Sequence, residues 1–567
     1  AAAALAAAAA VRRRSRPKSP GPLARPFSAT VALDAVTPEA KRRRFIGNLT
    51  APFGEVLEGL QSCGAKFQDI WFRDAPDEWL PATLRGNWAP VREETEGLAV
   101  EILYGMLPTD LPHGRFVRNG PNPRWVRPGM SGYHPFEGDG MLHAVELGAP
   151  HGVAKYSNRW VRTAKWLAEN AAQVPLMSGL VDDNPLRLIW NIALNLASVC
   201  AATLPIALNF TALWAVGGTF VTNTSVVSHA GTTMALGECG KPITVDVCDL
   251  RTTGCMDTGG SFNAHPKVCP LTGELIWCGY RPDSLDYGVW DSQGKQVHRT
   301  NVSLPHCVMV HDMAITRSYT IFLDCPLRLD LDGAMTGDSP VIFDKDSPMR
   351  LGLLPRFGGG DEVTWFEVPG PGKMVFHVMN AFEDEATGEV VVIGCAAAEL
   401  DLLKVQDIPF QAVRLTEWRV DPVSGHVAER VLTEEPCEFP RIDDRRTGLP
   451  FRFGYAAAFA SAETMAAQGG HGPLFRGFLK YDRTLGEATV CEMGDRRFCG
   501  EPVFAPRCNS TAEDDGYVLV HVHDEDGMRS EVHIYDARTP EEGPVCCLGL
   551  PRRVPYGFHA TWIVEDS

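Results

Sequence analysis

From Phe116 onward the chain repeats one unit: a polar or turn residue, a run of five to eight residues rich in β-branched and aromatic side chains, then another turn. The stretches "GELIWCGY", "SYTIFLDC", "GEVVVIGC", "RGFLKYD" and "GYVLVHVHDED" are examples, most of them opened by Gly or Ser, and each reads as a short strand. Strands in such number point to an all-β sandwich, barrel or propeller. Propeller blades run at about 40 to 50 residues, so roughly 450 residues of this pattern are most economically a propeller. The spacing alone does not set the number of blades.

One segment breaks the alternation. Leu188 to Val216, "LIWNIALNLASVCAATLPIALNFTALWAV", runs 29 residues without a charge and has helical spacing. A membrane span needs about 20 apolar residues, so length permits one. Asn191, Asn195 and Asn209 are spread through it, however, and Pro205 interrupts it. The reading is two short helices joined near Pro205 that are buried against the propeller, lie in a membrane interface, or span it.

Charge divides the chain unevenly. The formal net charge is −17, and residues 1 to 44 hold ten Lys or Arg against two acids, which leaves −25 on the remainder. A body so acidic repels nucleic acid. The first stretch is rich in Ala, Arg, Ser and Pro with no acid before Asp34, the composition of an organelle transit peptide or of a disordered basic tail. The expected organisation is therefore a tail over 1–44, a partly helical N-terminal extension over 45–96, and a propeller over 97–567 with an apolar helical insertion near 186–216. The 16 cysteines include no C-x-x-C pair, which argues against a zinc knuckle and for free thiols in a reducing compartment.

The histidines carry the candidate chemistry. In "FNAHPKVCPLTGELIWCGY", "VMVHDMAITRSYTIFLDC" and "MVFHVMNAFEDEATGEVVVIGC" a histidine precedes a polar turn and then a strand, so His265, His311 and His377 occupy similar places in successive repeats. "VPYGFHATWIV" supplies His559 from the last strand. Equivalent positions in different blades face the propeller axis, where four histidines can converge on one metal ion. Neutral imidazoles suit zinc, copper or iron and leave the ion's charge uncompensated, so carboxylates are expected behind them. Glu238, Glu438 and Glu501 lie at comparable turn-to-strand positions in "MALGECGKP", "CEFPRIDD" and "CGEPVFAPR". His521 and His523 share one face of a strand and read as a metal pair or, more commonly for such a pattern, an exposed face, and His134 and His143 flank a glycine-rich turn. No P-loop, nucleophile elbow or dinucleotide fingerprint appears in the right context.

The ordered set "GRFVRNGPNPRW", "YHPFEGDGMLHAV", "FNAHP", "VHDMAIT", "FHVMNAFED", "EFPRI", "GEPVFAPR", "EDDGYVL" and "YGFHATW" resembles the carotenoid cleavage oxygenase family, of the plant and algal type. That resemblance implies a seven-bladed β-propeller under a helical dome, with one non-haem Fe(II) on the axis held by His265, His311, His377 and His559. It also implies Glu238, Glu438 and Glu501 as their outer carboxylates, and Thr224 as a residue facing the iron. The implied reaction is cleavage of one C=C bond of a carotenoid or apocarotenoid by dioxygen, at a 9,10 (9′,10′) bond, in a plastid. The segment 188–216 would then make peripheral contact with a membrane. Alternatives are a 9-cis-epoxycarotenoid 11,12-dioxygenase, a non-cleaving polyene isomerase, and a silent lipid-binding propeller. The sequence departs from the family pattern at Glu137, Arg317 and Ala560, none of them a ligand position.

Overall fold

The structure is a computed structural model. It describes residues 80–565 apart from 127–132, 135–136, 149–153, 173–220, 239, 282, 307, 330–340, 400–409 and 470–471. The basic tail of 1–44 and the apolar segment 188–216 lie outside the described residues. No helix among the described residues is long and apolar enough to cross a membrane.

Antiparallel strands group into seven blades. The first holds Thr95–Ala99, Lys155–Trp160, Gly140–Leu147, Gly114–Pro121 and, innermost, Ala560–Val564. The second runs from Ser225–His229 to Thr252–Cys255, the third from Lys267–Val268 to Gln296–Ser303, and the fourth from Met313–Ile315 to Thr364–Glu367. The last three are joined in one ladder, because the 15-residue strand Val427–Arg441 pairs first with Arg414–Val420 and then, from Cys437, with Phe453–Phe459. It is thus the outer strand of the fifth blade and the inner strand of the sixth. The seventh blade takes Glu101–Gly105 as its outer strand, paired with Pro544–Gly549.

Both chain ends therefore lock the ring: a C-terminal strand completes the first blade and an N-terminal strand completes the last. Closure leaves no open side to the stack of blades. Between blades lie apolar layers. Ile276, Tyr287 and Val302 of the third blade meet Met313, Phe322 and Leu354 of the fourth, and Phe116 and Val145 of the first meet Leu519 and Ile534 of the seventh. Strands covered on both faces need no polar alternation, which is why Val390–Ala397 is buried throughout while the outer strand Gln296–Ser303 is mostly exposed.

This packing corrects the reading of His521 and His523 as an exposed face. They are 4% and 3% exposed, because Gly516–Asp524 is an internal strand with the first blade stacked on its histidine side. His521 stacks on Phe116 with ring centroids 4.6 Å apart, and His523 Nδ1 lies 3.2 Å from Ser530 Oγ. His143, across the same seam, is 2.8 Å from the Tyr156 hydroxyl. The twelve described cysteines are all free thiols.

Burial holds these three histidines neutral, lowering His143 to about 3 and His523 to about 4, with His521 also well below the usual imidazole range and the nearby Arg118 and Arg553 adding to the effect. The unfolded chain takes up those protons near pH 6.5, so it binds more protons than the folded state below that pH. Stability contributed by the seam is complete above pH 6.5 and is lost as the pH falls toward 4. Urea midpoints between pH 7 and 4.5 should therefore fall, and the slope should be shallower in a His521→Gln/His523→Gln variant. An identical slope in the variant would contradict this assignment.

Candidate metal centre

The inner strands start at one end of the ring, and the histidines sit at those starts. His265 precedes Lys267–Val268, His311 precedes Met313–Ile315, His377 lies within Met374–Glu383, and His559 precedes Ala560–Val564. Four blades thus contribute one imidazole each. Their candidate ligand atoms all lie within 4.8 Å of one another, and all four side chains are buried. His377 is aimed inward by a bulge: the pairing of its strand with Val390–Ala397 shifts on either side of Val378. Gly394 opposite is what lets the chains approach, since a Cβ there would lie 2.9 Å from the His377 carbonyl oxygen.

The outward ring nitrogens meet carboxylates. His377 Nδ1 is 2.6 Å from Glu438 Oε2, and His559 Nδ1 is 2.9 Å from Glu501 Oε1. His311 Nδ1 is 2.8 Å from Glu238 Oε1, close enough to pair although out of line for a hydrogen bond. His265 has no carboxylate on its ring among the described residues. A carboxylate on Nδ1 selects the Nδ1–H tautomer and leaves Nε2 as a lone pair pointing at the axis. Two such contacts are short, 3.0 Å between His265 and His311 Nε2 and 3.2 Å between His311 and His377 Nε2. Between His311 and His377, each backed by a carboxylate, two lone pairs face each other and call for a cation between them.

Local charges favour the neutral ring at His265 and His559. Burial and the neighbouring imidazoles hold His265 well below the ordinary range, and burial also lowers His559 despite the opposing pull of Glu501. At His377 burial is outweighed by Glu438, which raises it. Burial alone would raise Glu501, yet Arg441 and His559 bring it down to about 2. Arg441 Nη1 donates to Glu501 Oε2 at 3.2 Å and to the Ala560 carbonyl at 2.9 Å.

Comparison with known proteins decides the family. Residues 88–564 match the family described as Retinal pigment epithelial membrane protein, the carotenoid cleavage oxygenases. The chain belongs to this family. It is 32% identical over 515 residues to a carotenoid 9,10(9′,10′)-cleavage dioxygenase of Crocus sativus, covering 85% of this chain and 89% of that protein. With the chloroplastic 9-cis-epoxycarotenoid dioxygenase NCED1 of Oryza sativa subsp. japonica it shares 31% identity, covering 85% of this chain and 75% of that one. Among solved structures, the lignostilbene dioxygenase of Pseudomonas brassicacearum superposes with a TM-score of 0.72 at 26% identity, covering 87% of this chain and 99% of that one.

In this carotenoid oxygenase, the donor set fits a first-row divalent cation: four imidazole nitrogens converge on one point, and carboxylates behind three of them carry compensating charge. Thr224 is buried beside the centre, but its polar atoms are engaged. Its carbonyl accepts the His559 N–H at 3.1 Å and its hydroxyl donates to Asn223 Oδ1 at 3.2 Å. His143 belongs to the blade seam, bonded to Tyr156, and joins no cluster with the four ligands.

The sequence reading missed the walls of the site. Phe376 is 5.4 Å from the His311 ring, and Phe439 is 5.3 Å from His377 and 5.0 Å from His559. Phe439 holds a φ of +51°, unusual for a side chain of that size, and its N–H donates to the Glu438 carboxylate at 2.5 Å. The signal available was only adjacency: each phenylalanine neighbours a residue already singled out.

Replacing His311 with Ala should abolish stoichiometric metal binding, measured by elemental analysis after dialysis. Glu501→Gln keeps the shape but loses the charge and should weaken metal affinity by about 10- to 100-fold, measured by competition with a chelator. Wild-type affinity in either variant would refute the site.

Proposed function

We propose that this chain is a non-haem Fe(II) dioxygenase that cleaves one C=C bond of a carotenoid or apocarotenoid into two carbonyl products, at a 9,10 (9′,10′) bond. The observation that carries the reading is the complete set of four converging imidazoles with their carboxylates in a chain so similar to 9,10-cleaving relatives. Bound Fe(II) would supply the activation of dioxygen, its four nitrogen ligands leaving coordination sites open. His265, His311, His377 and His559 hold the ion, and Glu238, Glu438 and Glu501 orient the rings and balance charge. Phe376 and Phe439 present apolar faces beside the ligands, which keeps water from the reacting carbons and suits a polyene. No side chain has to take a proton from the substrate, because the electrons come from the polyene itself.

A second reading, 11,12 cleavage of a 9-cis-epoxycarotenoid, is favoured by the rice relative. The silent-binder reading is opposed by the intact ligand set. Residues 97–567 form the catalytic unit in this proposal, and the apolar segment 188–216 is where a lipid substrate would be collected from a membrane surface. The chloroplastic rice relative and the acid-free start of the chain support a plastid.

The test is incubation of Fe(II)-loaded protein in detergent micelles with a panel of carotenoids under oxygen-18 gas, followed by mass spectrometry. Two labelled aldehydes or ketones are expected, with masses that place the cut at 9,10 or 11,12. Unchanged or isomerised polyene from folded, iron-loaded protein would overturn the cleavage reading.

A further inference from the structure

The residue after His311 takes no part in the scheme above, yet Asp312 is only 2% exposed. Its carboxylate is fully engaged. Oδ1 accepts the Met313 N–H at 2.7 Å and pairs with Lys267 Nζ at 2.8 Å, and Oδ2 accepts the Val378 N–H at 2.8 Å. Lys267 is two residues beyond His265, Met313 two beyond His311, and Val378 one beyond His377. One side chain therefore ties together three successive blades within two residues of three of the four imidazoles. His559 is fixed separately, through Glu501 and Arg441.

The geometry points to Asp312 as a positioning residue of the metal centre: its carboxylate, shared by Lys267, Met313 and Val378, sets the relative height of His265, His311 and His377 along the axis. This rests on the reading that the four histidines bind an ion. The role needs a carboxylate. Three donors approach two oxygens, one donor is an ammonium, and an amide would turn an N–H toward one of them. Asn263 works in parallel but more weakly, donating to the His311 carbonyl at 3.1 Å and accepting the His265 N–H at 3.4 Å. A slip of a few tenths of an ångström between blades changes every distance in a four-nitrogen site, and the apolar layers between blades, being non-directional, specify that height less sharply than a shared carboxylate does.

The test uses Co(II) as probe on the full chain, reading its dissociation constant and its visible absorption, which reports ligand geometry. Asp312→Asn is expected to weaken Co(II) about tenfold or more and to shift the absorption band. Lys267→Met, at a partly exposed position, should act in the same direction but less, and the double variant should lose less than the sum. Asn380→Ala is the comparison. It removes an equivalent brace between the fifth and sixth blades, where Asn380 Nδ2 donates to the Arg446 and Leu449 carbonyls, both at 3.0 Å. It should lower the urea midpoint while leaving the cobalt spectrum unchanged. Wild-type affinity and spectrum in Lys267→Met and Asp312→Asn, or an equal spectral shift in Asn380→Ala, would overturn the positioning role. Failure of the wild-type protein to take up cobalt at all would overturn the metal centre itself.

Discussion

A circuit of buried polar side chains runs around the axis, each reaching from one blade to the next, and the site exists because that circuit closes. Asn119 of the first blade donates to the Thr222 and Ser225 carbonyls of the second at 3.0 and 3.1 Å, and Ser225 Oγ donates to the Ala264 carbonyl at 2.5 Å. Asn263 continues to His311 and Asp312 to Val378, and between the fifth and sixth blades the shared strand Val427–Arg441 takes over. Arg441 bridges the sixth blade to Glu501 of the seventh and to Ala560 of the first, where the ring began. Apolar layers supply the bulk of the burial between blades. They fix how close the blades come but not their height, whereas a buried donor left unpaired costs about 1–3 kcal/mol. Register around the ring is accordingly set by these directional contacts.

Metal and ring are coupled through this arrangement. Imidazoles from four blades meet only if every intervening blade is seated, and a cation would accommodate their facing nitrogens. Binding an ion in the folded ring alone stabilises the ring by mass action. The same carboxylates serve both ends of that coupling. Glu501 holds the His559 ring and also the Ala560 N–H at 2.7 Å, so it orients a ligand and fastens the strand that closes the first blade.

The strands were legible because β-branched runs between turns reflect a local preference that the blades do not override, and the ligand histidines because they recur at one place in a repeated unit. The number of blades was not legible: it depends on Val427–Arg441 crossing between two sheets and on both chain ends entering the ring. His521 and His523 misled for a related reason. Alternation of histidine with valine is the mark of a half-exposed strand, but in a propeller the polar side of a strand can face the next blade. Asp312 could be seen beside His311 but not understood, since its donors come from three blades whose proximity no local pattern encodes.

The positions where this chain departs from its family's pattern can now be weighed by what they touch. Ala560 follows a ligand, yet it acts through its backbone, its N–H on Glu501 and its carbonyl on Arg441. It has no left-handed backbone to require glycine and packs into the apolar layer between the first and seventh blades. Arg317 lies past the far end of the strand Met313–Ile315, exposed, with Glu385 at 2.8 Å. Glu137 sits in the turn between Gly114–Pro121 and Gly140–Leu147, its N–H on the His134 carbonyl at 3.0 Å. Ala560 thus meets the outer carboxylate Glu501 only through a backbone N–H that any residue other than proline would supply. On the proposed reaction, discrimination between polyenes therefore falls to residues other than these three, those that set how far a long substrate slides before one double bond stands over the four histidines.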